Sequence, residues 1–328
     1  MLGKNVLVTG AGGFIGSHLV QRLVESGATV RAFVRYNSRN DRGMLELLPK
    51  EVLSSVDVVF GDLRDPYAVR GACESVQIVF HLGALIAIPY SYLRPREVVE
   101  TNVMGTLNVL MAAREARVQR IVHTSSSEVY GTAQYTPIEE NHPLQGQSPY
   151  AASKIGADKL AESFYCAFDL PVATIRPFNT YGPRQSARAV IPSIISQALT
   201  RDQIHLGDLE PLRDFTYVTD TVDGFIKMAQ ADTRVLGQEI NLGTGTEISI
   251  GELAKTIFQL VGVAPQIVTE ESRVRPDKSE VYRLCADNRK AREVMGWSPQ
   301  ISLTEGLRQT IDWIADNLDR YRPEEYQV

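Results

Sequence analysis

The sequence predicts an α/β fold, a doubly wound parallel sheet followed by a smaller α/β lobe, on three observations. Short β-branched runs alternate with helical patterns through the first half, a glycine-rich turn joins the first run to the first helix, and prolines fragment the chain after Arg176. Strands are expected at 5–9, 29–34, 56–60, 78–81, 120–124 and 172–176. Between them a helix is expected over 17–26, where Leu19, Val20, Leu23 and Val24 share one face and Gly27 supplies the stop. Further helices are expected over 66–75, 97–116 and 150–168. Pro177, Pro183, Pro192, Pro211, Pro265 and Pro276 then divide the chain into shorter elements. A dinucleotide-binding lobe is therefore assigned to residues 1–178, with a segment near 215–245 returning to it, and a substrate lobe to 179–328. The charged tail from Asp319 onward is expected to fray.

A chain of 328 residues with 44% hydrophobic content can bury a sizeable core without staples. Its three cysteines, Cys73, Cys166 and Cys285, are odd in number and far apart, which suits a reducing cytoplasm rather than a disulfide framework. A targeting leader is not expected from the residues ahead of the first strand, and no run approaches the roughly 18 apolar residues of a membrane span. A net charge of -5 disfavours a nucleic-acid surface. The five histidines lack ligand spacing and no GxSxG elbow is present, so neither a metal site nor a serine nucleophile is expected.

Gly10, Gly13 and Gly16 stand in TGxxGxxG spacing between the first strand and the first helix. Glycine permits a tight turn and close backbone approach to a pyrophosphate, and the helix N-terminus offers unpaired amides, so the turn reads as a Rossmann phosphate cradle. The acid that commonly ends the second strand to accept ribose hydroxyls is missing. Arg35 with Ser38 or Arg39 stands there instead and could receive a 2′-phosphate, which favours NADP over NAD; a solvated surface arginine is the alternative. Asp62 is the expected adenine contact, or else a helix cap.

Tyr150 and Lys154 lie at i and i+4 on one helical face. Opposite charges about 4 Å apart at an effective dielectric near 20 interact by about 4 kcal/mol. That is roughly 3 pK units, enough to bring a phenol from about 10 towards neutrality, where it can act as a base. The serine-rich run Thr124-Ser125-Ser126-Ser127-Glu128 follows the fifth strand, at the sheet edge where open α/β folds bind ligands.

With Gly61-Asp62-Leu63, His81-Leu82-Gly83-Ala84, Thr101-Asn102-Val103, Arg176-Pro177-Phe178-Asn179, Tyr181-Gly182-Pro183-Arg184 and Arg213-Asp214-Phe215, these motifs make the chain resemble an extended short-chain dehydrogenase/reductase over essentially its whole length. The resemblance implies a tightly bound nicotinamide cofactor lined by Phe14, Ile15, Leu63, Leu82 and Ala84 besides the glycines. It also implies a homodimer built on the helices at 97–116 and 150–168.

Within that family, Ser126-Ser127-Glu128 resembles the Thr-Asp-Glu of dTDP-glucose 4,6-dehydratases and, more closely, the Thr-Ser-Glu of GDP-mannose 4,6-dehydratases. The implied roles follow. Tyr150 takes the 4-hydroxyl proton while C4 loses hydride, Ser126 holds the 4-oxygen, and Glu128 removes the C5 proton as water leaves C6. Ser127 departs from the dTDP-glucose pattern, where an aspartate protonates the leaving group, so Glu128 would serve as both base and acid. The resemblance assigns Asn179, Arg184, Arg213 and Arg275 to the substrate's diphosphate and nucleoside. The run from Tyr130 to Tyr150, with that from Gly182 to Pro192, is most similar to configuration-retaining bacterial UDP-N-acetylglucosamine 4,6-dehydratases, which serve surface polysaccharide sugars. Leu85-Ile86-Ala87-Ile88-Pro89 would pack an acetyl methyl or cover the nicotinamide. A 4-epimerase sharing the cofactor and Tyr150 is the runner-up, and a non-catalytic dinucleotide sensor the alternative of another class.

Overall fold

Val6 and Val8 point to one side of the first strand and Leu7 to the other, and all three are buried. A strand covered on both faces belongs to a sheet with helices above and below. The computed structural model, which describes residues 1–323, has that architecture. Its first half comprises β1 (Asn5–Thr9), α1 (Phe14–Glu25), β2 (Thr29–Arg35), α2 (Lys50–Ser54), β3 (Asp57–Gly61), α3 (Pro66–Cys73), β4 (Ile78–His81), α4 (Ile88–Leu93), α5 (Pro95–Val99), α6 (Gly105–Glu115), β5 (Arg120–Thr124), α7 (Pro149–Phe168) and β6 (Val172–Pro177). The second half adds β7 (Asn179–Tyr181), α8 (Val190–Ala198), β8 (Gln203–Leu206), β9 (Leu212–Arg213), β10 (Phe215–Tyr217), α9 (Val218–Gln230), β11 (Glu239–Leu242), β12 (Ile248–Ser249), α10 (Ile250–Val261), β13 (Gln266–Thr269), α11 (Arg289–Met295) and α12 (Leu303–Asp316).

Seven parallel strands form the central sheet in the order β11-β6-β5-β4-β1-β2-β3, the doubly wound arrangement of a Rossmann fold. Leu19, Val20 and Leu23 of α1 join Val6 and Val8 in one core, while Val69 of α3, Leu110 of α6 and Phe164 of α7 join Leu7 in the other. Each such side chain contributes about 1.5–3 kcal/mol by leaving water. α1 starts at Phe14 rather than Ser17, because Gly13, in the turn after β1, already serves as its N-cap. The helix expected over 97–116 is interrupted by a π-helical turn at Glu100–Met104 between α5 and α6. α7 begins with Pro149 at its first turn, and the Ser148 side chain accepts the Ala151 amide at 3.1 Å.

Beyond β6 the chain leaves the sheet and makes three short pairs: β7 with β10, β9 with β12, and β8 with β13. It comes back once, when β11 pairs with β6 as the sheet's edge. Between the carboxyl ends of the sheet strands and the smaller pairs lies a cleft of about 1000 Å³, lined by Gly10, Leu82, Thr124 and Pro177 on the sheet side and Arg213 and Phe215 on the other. Among the described residues no helix is long and apolar enough to cross a membrane.

Candidate active site

The glycine turn sets the first wall. Gly10 has φ +68°, and a Cβ there would come within 2.8 Å of the Gly83 nitrogen, so β1 and the loop after β4 touch backbone to backbone. A Cβ on Gly16 would run into the Gly10 carbonyl oxygen. This leaves the α1 N-terminus bare of side chains where it faces the cleft, a cradle that fits a dinucleotide pyrophosphate. Gly10, Gly13, Phe14, Ile15, Gly16, Leu82 and Ala84 all line it.

At the adenosine end Arg35, Asp62 and Leu63 border a smaller recess with Gly10, Ala84 and Thr101. Asp62 caps no helix; its carboxylate accepts from the backbone and guanidinium of Arg64, which holds it below the ordinary carboxylate range, and Asp65 caps α3 instead. Arg35 leans towards Glu97 at 3.4 Å and stays 63% exposed. Ser38 does not join the site. Asn37 Oδ1 accepts the amides of Arg39 and Asp41 at 3.1 and 3.0 Å, a turn that leaves Ser38 exposed and brings Asn37 and Asp41 to the cleft. Gly43, at φ +65°, then docks against Gly12. Sequence reading singled out only Ser38 and Arg39 in the 36–43 loop, although its density of Asn, Asp, Ser and Gly is a turn signal.

The catalytic candidates converge on the end of β5. Ser126 and Glu128 line the cleft, and Ser127 is buried beside them. The Ser126 hydroxyl accepts the Glu128 amide at 3.2 Å and hydrogen-bonds the Tyr150 phenol. Lys154 lies beneath, its Nζ donating to the Thr124 carbonyl at 2.6 Å. The expected lowering of the phenol is not what the free protein has. Burial pushes Tyr150 up to about 12, opposed by the Ser126 hydrogen bond and reinforced by the Glu128 and Asp158 carboxylates. Burial pulls Lys154 down to about 8. Desolvation is the leading cause of both shifts, and neither group figures among the causes of the other's.

Asn102, in the π-helical turn, brackets this region: its side chain accepts the Leu85 amide at 2.8 Å and donates to the Leu85 carbonyl at 3.0 Å and to Ser153 at 2.9 Å. The apolar loop 85–89 and α7 are thereby fixed to each other.

Across the cleft, Asn179 and Arg213 line the far wall with Arg275. The buried pair Arg213–Glu280 closes at 3.1 Å, and Arg275 Nη1 stands 3.7 Å from Glu280 and 3.8 Å from Glu128. Glu128 is 13% exposed, so its carboxylate is inside the cleft rather than in bulk water. Burial draws Arg213 below its ordinary value, with Glu128 and Glu280 opposing. Arg184 is not in this group. Its backbone is left-handed at φ +68° after Gly182-Pro183, which turns the guanidinium back onto α1, where it donates to Gln21 at 2.7 Å. Glu280, Arg188 and Tyr92 also line the cleft and were not singled out in the sequence. Such a site can bind a diphosphate on arginines, accept a hydroxyl proton at Tyr150 and accept a carbon-bound proton at Glu128.

The model of the GDP-mannose 4,6 dehydratase family matches residues 7–310. A UDP-glucose 4-epimerase of Mycolicibacterium smegmatis is 36% identical over 318 residues, covering 94% of this chain and 98% of its own. The dTDP-D-glucose 4,6-dehydratase of Homo sapiens is 31% identical over 331 residues, with 97% and 92% covered. Among solved structures, a double mutant of DesIV, the dTDP-glucose 4,6-dehydratase of Streptomyces venezuelae, has NAD bound. It is 29% identical with a TM-score of 0.88, covering 98% of this chain and 99% of its own.

Proposed function

Because the chain belongs to the GDP-mannose 4,6-dehydratase family, extended short-chain dehydrogenases/reductases that act on nucleotide sugars, we propose that it is itself a 4,6-dehydratase and that UDP-N-acetylglucosamine is its substrate. The observation that carries the reading is the Glu128 carboxylate, enclosed in the same cleft as Tyr150, with the Glu128 backbone amide held by the Ser126 hydroxyl. An epimerase has no work for such a carboxylate; an elimination across C5 and C6 requires one.

The residues divide the work as follows. When bound, oxidised nicotinamide provides the acceptor for hydride from C4 and holds it until it is needed at C6. Tyr150 takes the 4-hydroxyl proton, and Ser126 keeps the 4-oxygen in line. The new ketone acidifies C5, whose proton Glu128 removes. Ser127 is a poor acid, so Glu128 also protonates the departing C6 hydroxyl. The proton Tyr150 took from the 4-hydroxyl balances the one that C5 must regain, delivered through Glu128 from solvent, and the bound nicotinamide would supply the hydride for C6. Arg213 and Arg275 hold the diphosphate, with Asn179 beside them, and the loop 85–89 packs the acetamido methyl.

Arg35 supports NADP ahead of NAD, since a 63% exposed guanidinium held only at 3.4 Å can swing to a 2′-phosphate. Exposed Val99, Met104 and Met111, with Tyr165 and Phe168 of α7, support a homodimer through these helices. A second reading, a UDP-sugar 4-epimerase, is favoured by Ser127, which supplies no acidic proton. Incubation with UDP-N-acetylglucosamine decides between them. A dehydratase yields a product lighter by one water that absorbs in base, and an epimerase yields an isomer of unchanged mass.

A further inference from the structure

The helix that carries Tyr150 and Lys154 bears a third chemistry-bearing side chain on the same face. Positions i, i+4 and i+8 of a helix stack above one another, and here they are Tyr150, Lys154 and Asp158. Each grips a different residue at the end of β5. The Tyr150 phenol bonds Ser126, Lys154 Nζ donates to the Thr124 carbonyl at 2.6 Å, and Asp158 Oδ2 accepts from Ser125 Oγ at 2.6 Å. We propose that Asp158 is a positioning residue of the active site, the third clamp that fixes the Thr124–Ser126 strand end against α7.

Asp158 is fully buried, and a carboxylate without water must be paired. His123 Nε2 donates to Oδ1 at 3.1 Å, and Arg176 donates to Oδ2 through Nε at 3.4 Å and Nη2 at 3.3 Å. One side chain therefore ties α7 to both β5 and β6 under the reacting groups. Burial opposes its charge, yet the bonds from His123, Arg176 and Ser125 hold Asp158 below the ordinary carboxylate range, so it stays ionised.

That charge also faces the reacting pair. The groups around Lys154 and Tyr150 are Asp158 on α7, His81 on β4, His123 on β5, Arg176 on β6 and Glu128 after β5. Burial keeps both histidines neutral. Asp158 favours the protonated form of Lys154 and, after Glu128, of Tyr150. Removing the charge makes both groups release their protons at lower pH.

The experiment is the pH profile of UDP-N-acetylglucosamine turnover for the wild-type enzyme, Asp158→Asn, Asp158→Glu and Ser125→Ala, with cofactor content and thermal midpoint measured on each. Asp158→Asn lowers kcat by about 100-fold, leaves KM within about threefold, and moves both limbs of the bell to lower pH. Asp158→Glu returns the limbs towards wild type. Ser125→Ala lowers kcat without moving them. The inference is overturned if the limbs of Asp158→Asn stay at wild-type pH, or if its lost turnover is fully accounted for by lost cofactor or lost folding. Should Asp158→Asn not fold, wild-type turnover in Ser125→Ala overturns it. The activity arm rests on the dehydratase reading. Titration of Lys154 by NMR in ε-¹⁵N-lysine protein needs no sugar, so an unshifted lysine in Asp158→Asn counts against Asp158 whatever the substrate.

Discussion

Nη1 of Arg275 stands 3.8 Å from the Glu128 carboxylate and makes no hydrogen bond among the described residues. A buried cationic nitrogen with two distant carboxylates and no hydrogen bond is undersatisfied, so an acceptor for it is expected to arrive with the substrate. The diphosphate can take this guanidinium at no expense to the fold, and in doing so it leaves Glu128 free for C5.

Glu128→Gln keeps the shape of the site and removes the base. Dehydrated product should form about 10²- to 10⁴-fold more slowly, while oxidation at C4 persists as a reduced-nicotinamide absorbance on mixing with UDP-N-acetylglucosamine. Near-normal turnover in the variant refutes the elimination role.

The two cleft arginines should respond differently. Arg275→Met removes only the long ion pairs to Glu280 and Glu128 at 3.7 and 3.8 Å, so KM rises about 10- to 100-fold while the thermal midpoint moves less than in Arg213→Met. Arg213→Met takes from buried Glu280 its hydrogen-bonded cation at 3.1 Å and leaves it only Arg275 at 3.7 Å. That variant should lose about 3–5 kcal/mol of stability, read from denaturant unfolding.

Lys154 acts protonated, and burial has drawn it down to about 8. Turnover should therefore fall above about pH 8. The sign for stability is opposite. Between about 8 and the ordinary lysine value the unfolded chain binds more protons than the folded one, so stability rises with pH across that window. Lys154→Met should abolish turnover yet raise the thermal midpoint at pH 7 by about 2–4 °C, a trade that calorimetry can read.

His18 is lowered to about 4 by burial and the nearby Arg184 guanidinium, although its Nε2 donates to the Pro183 carbonyl at 2.9 Å. From pH 6.5 down to about 4 the unfolded state takes up the proton first, so stability falls with acid by up to about 3 kcal/mol. His18→Gln keeps a donor and does not titrate. Its thermal midpoint should be flatter over that range.

Gly16→Ala puts a methyl against the Gly10 carbonyl oxygen. Relieving it opens the glycine turn, at a cost of about 1–3 kcal/mol. Purified variant should carry less nicotinamide cofactor, measured by release on denaturation.

How far the sequence speaks depends on the range of the interaction. β1, β4 and β5 were legible within the chain because a strand buried on both sides is a local run of apolar residues, and Tyr150 with Lys154 because helical spacing is local too. Ser38 and Arg184 lie away from the other site residues because backbone turns decide where those side chains go: an Asn37 turn in one case, a left-handed residue in the other. The pairing of Glu280 was not legible because its partner, Arg213, is remote in sequence. The phenol was misjudged because spacing reports which groups are neighbours and is silent on how dry they are.

The return of β11 to the flank of β6 means that the two walls of the cleft are not separable pieces of chain. A fragment ending at Phe178 would present the amides and carbonyls of β6 unpaired along its length, an invitation to stick to its own copies. Attempts to swap nucleotide-binding halves between relatives should therefore carry residues 239–242 across with the first half, and a hybrid that omits them should be recovered mainly as insoluble material.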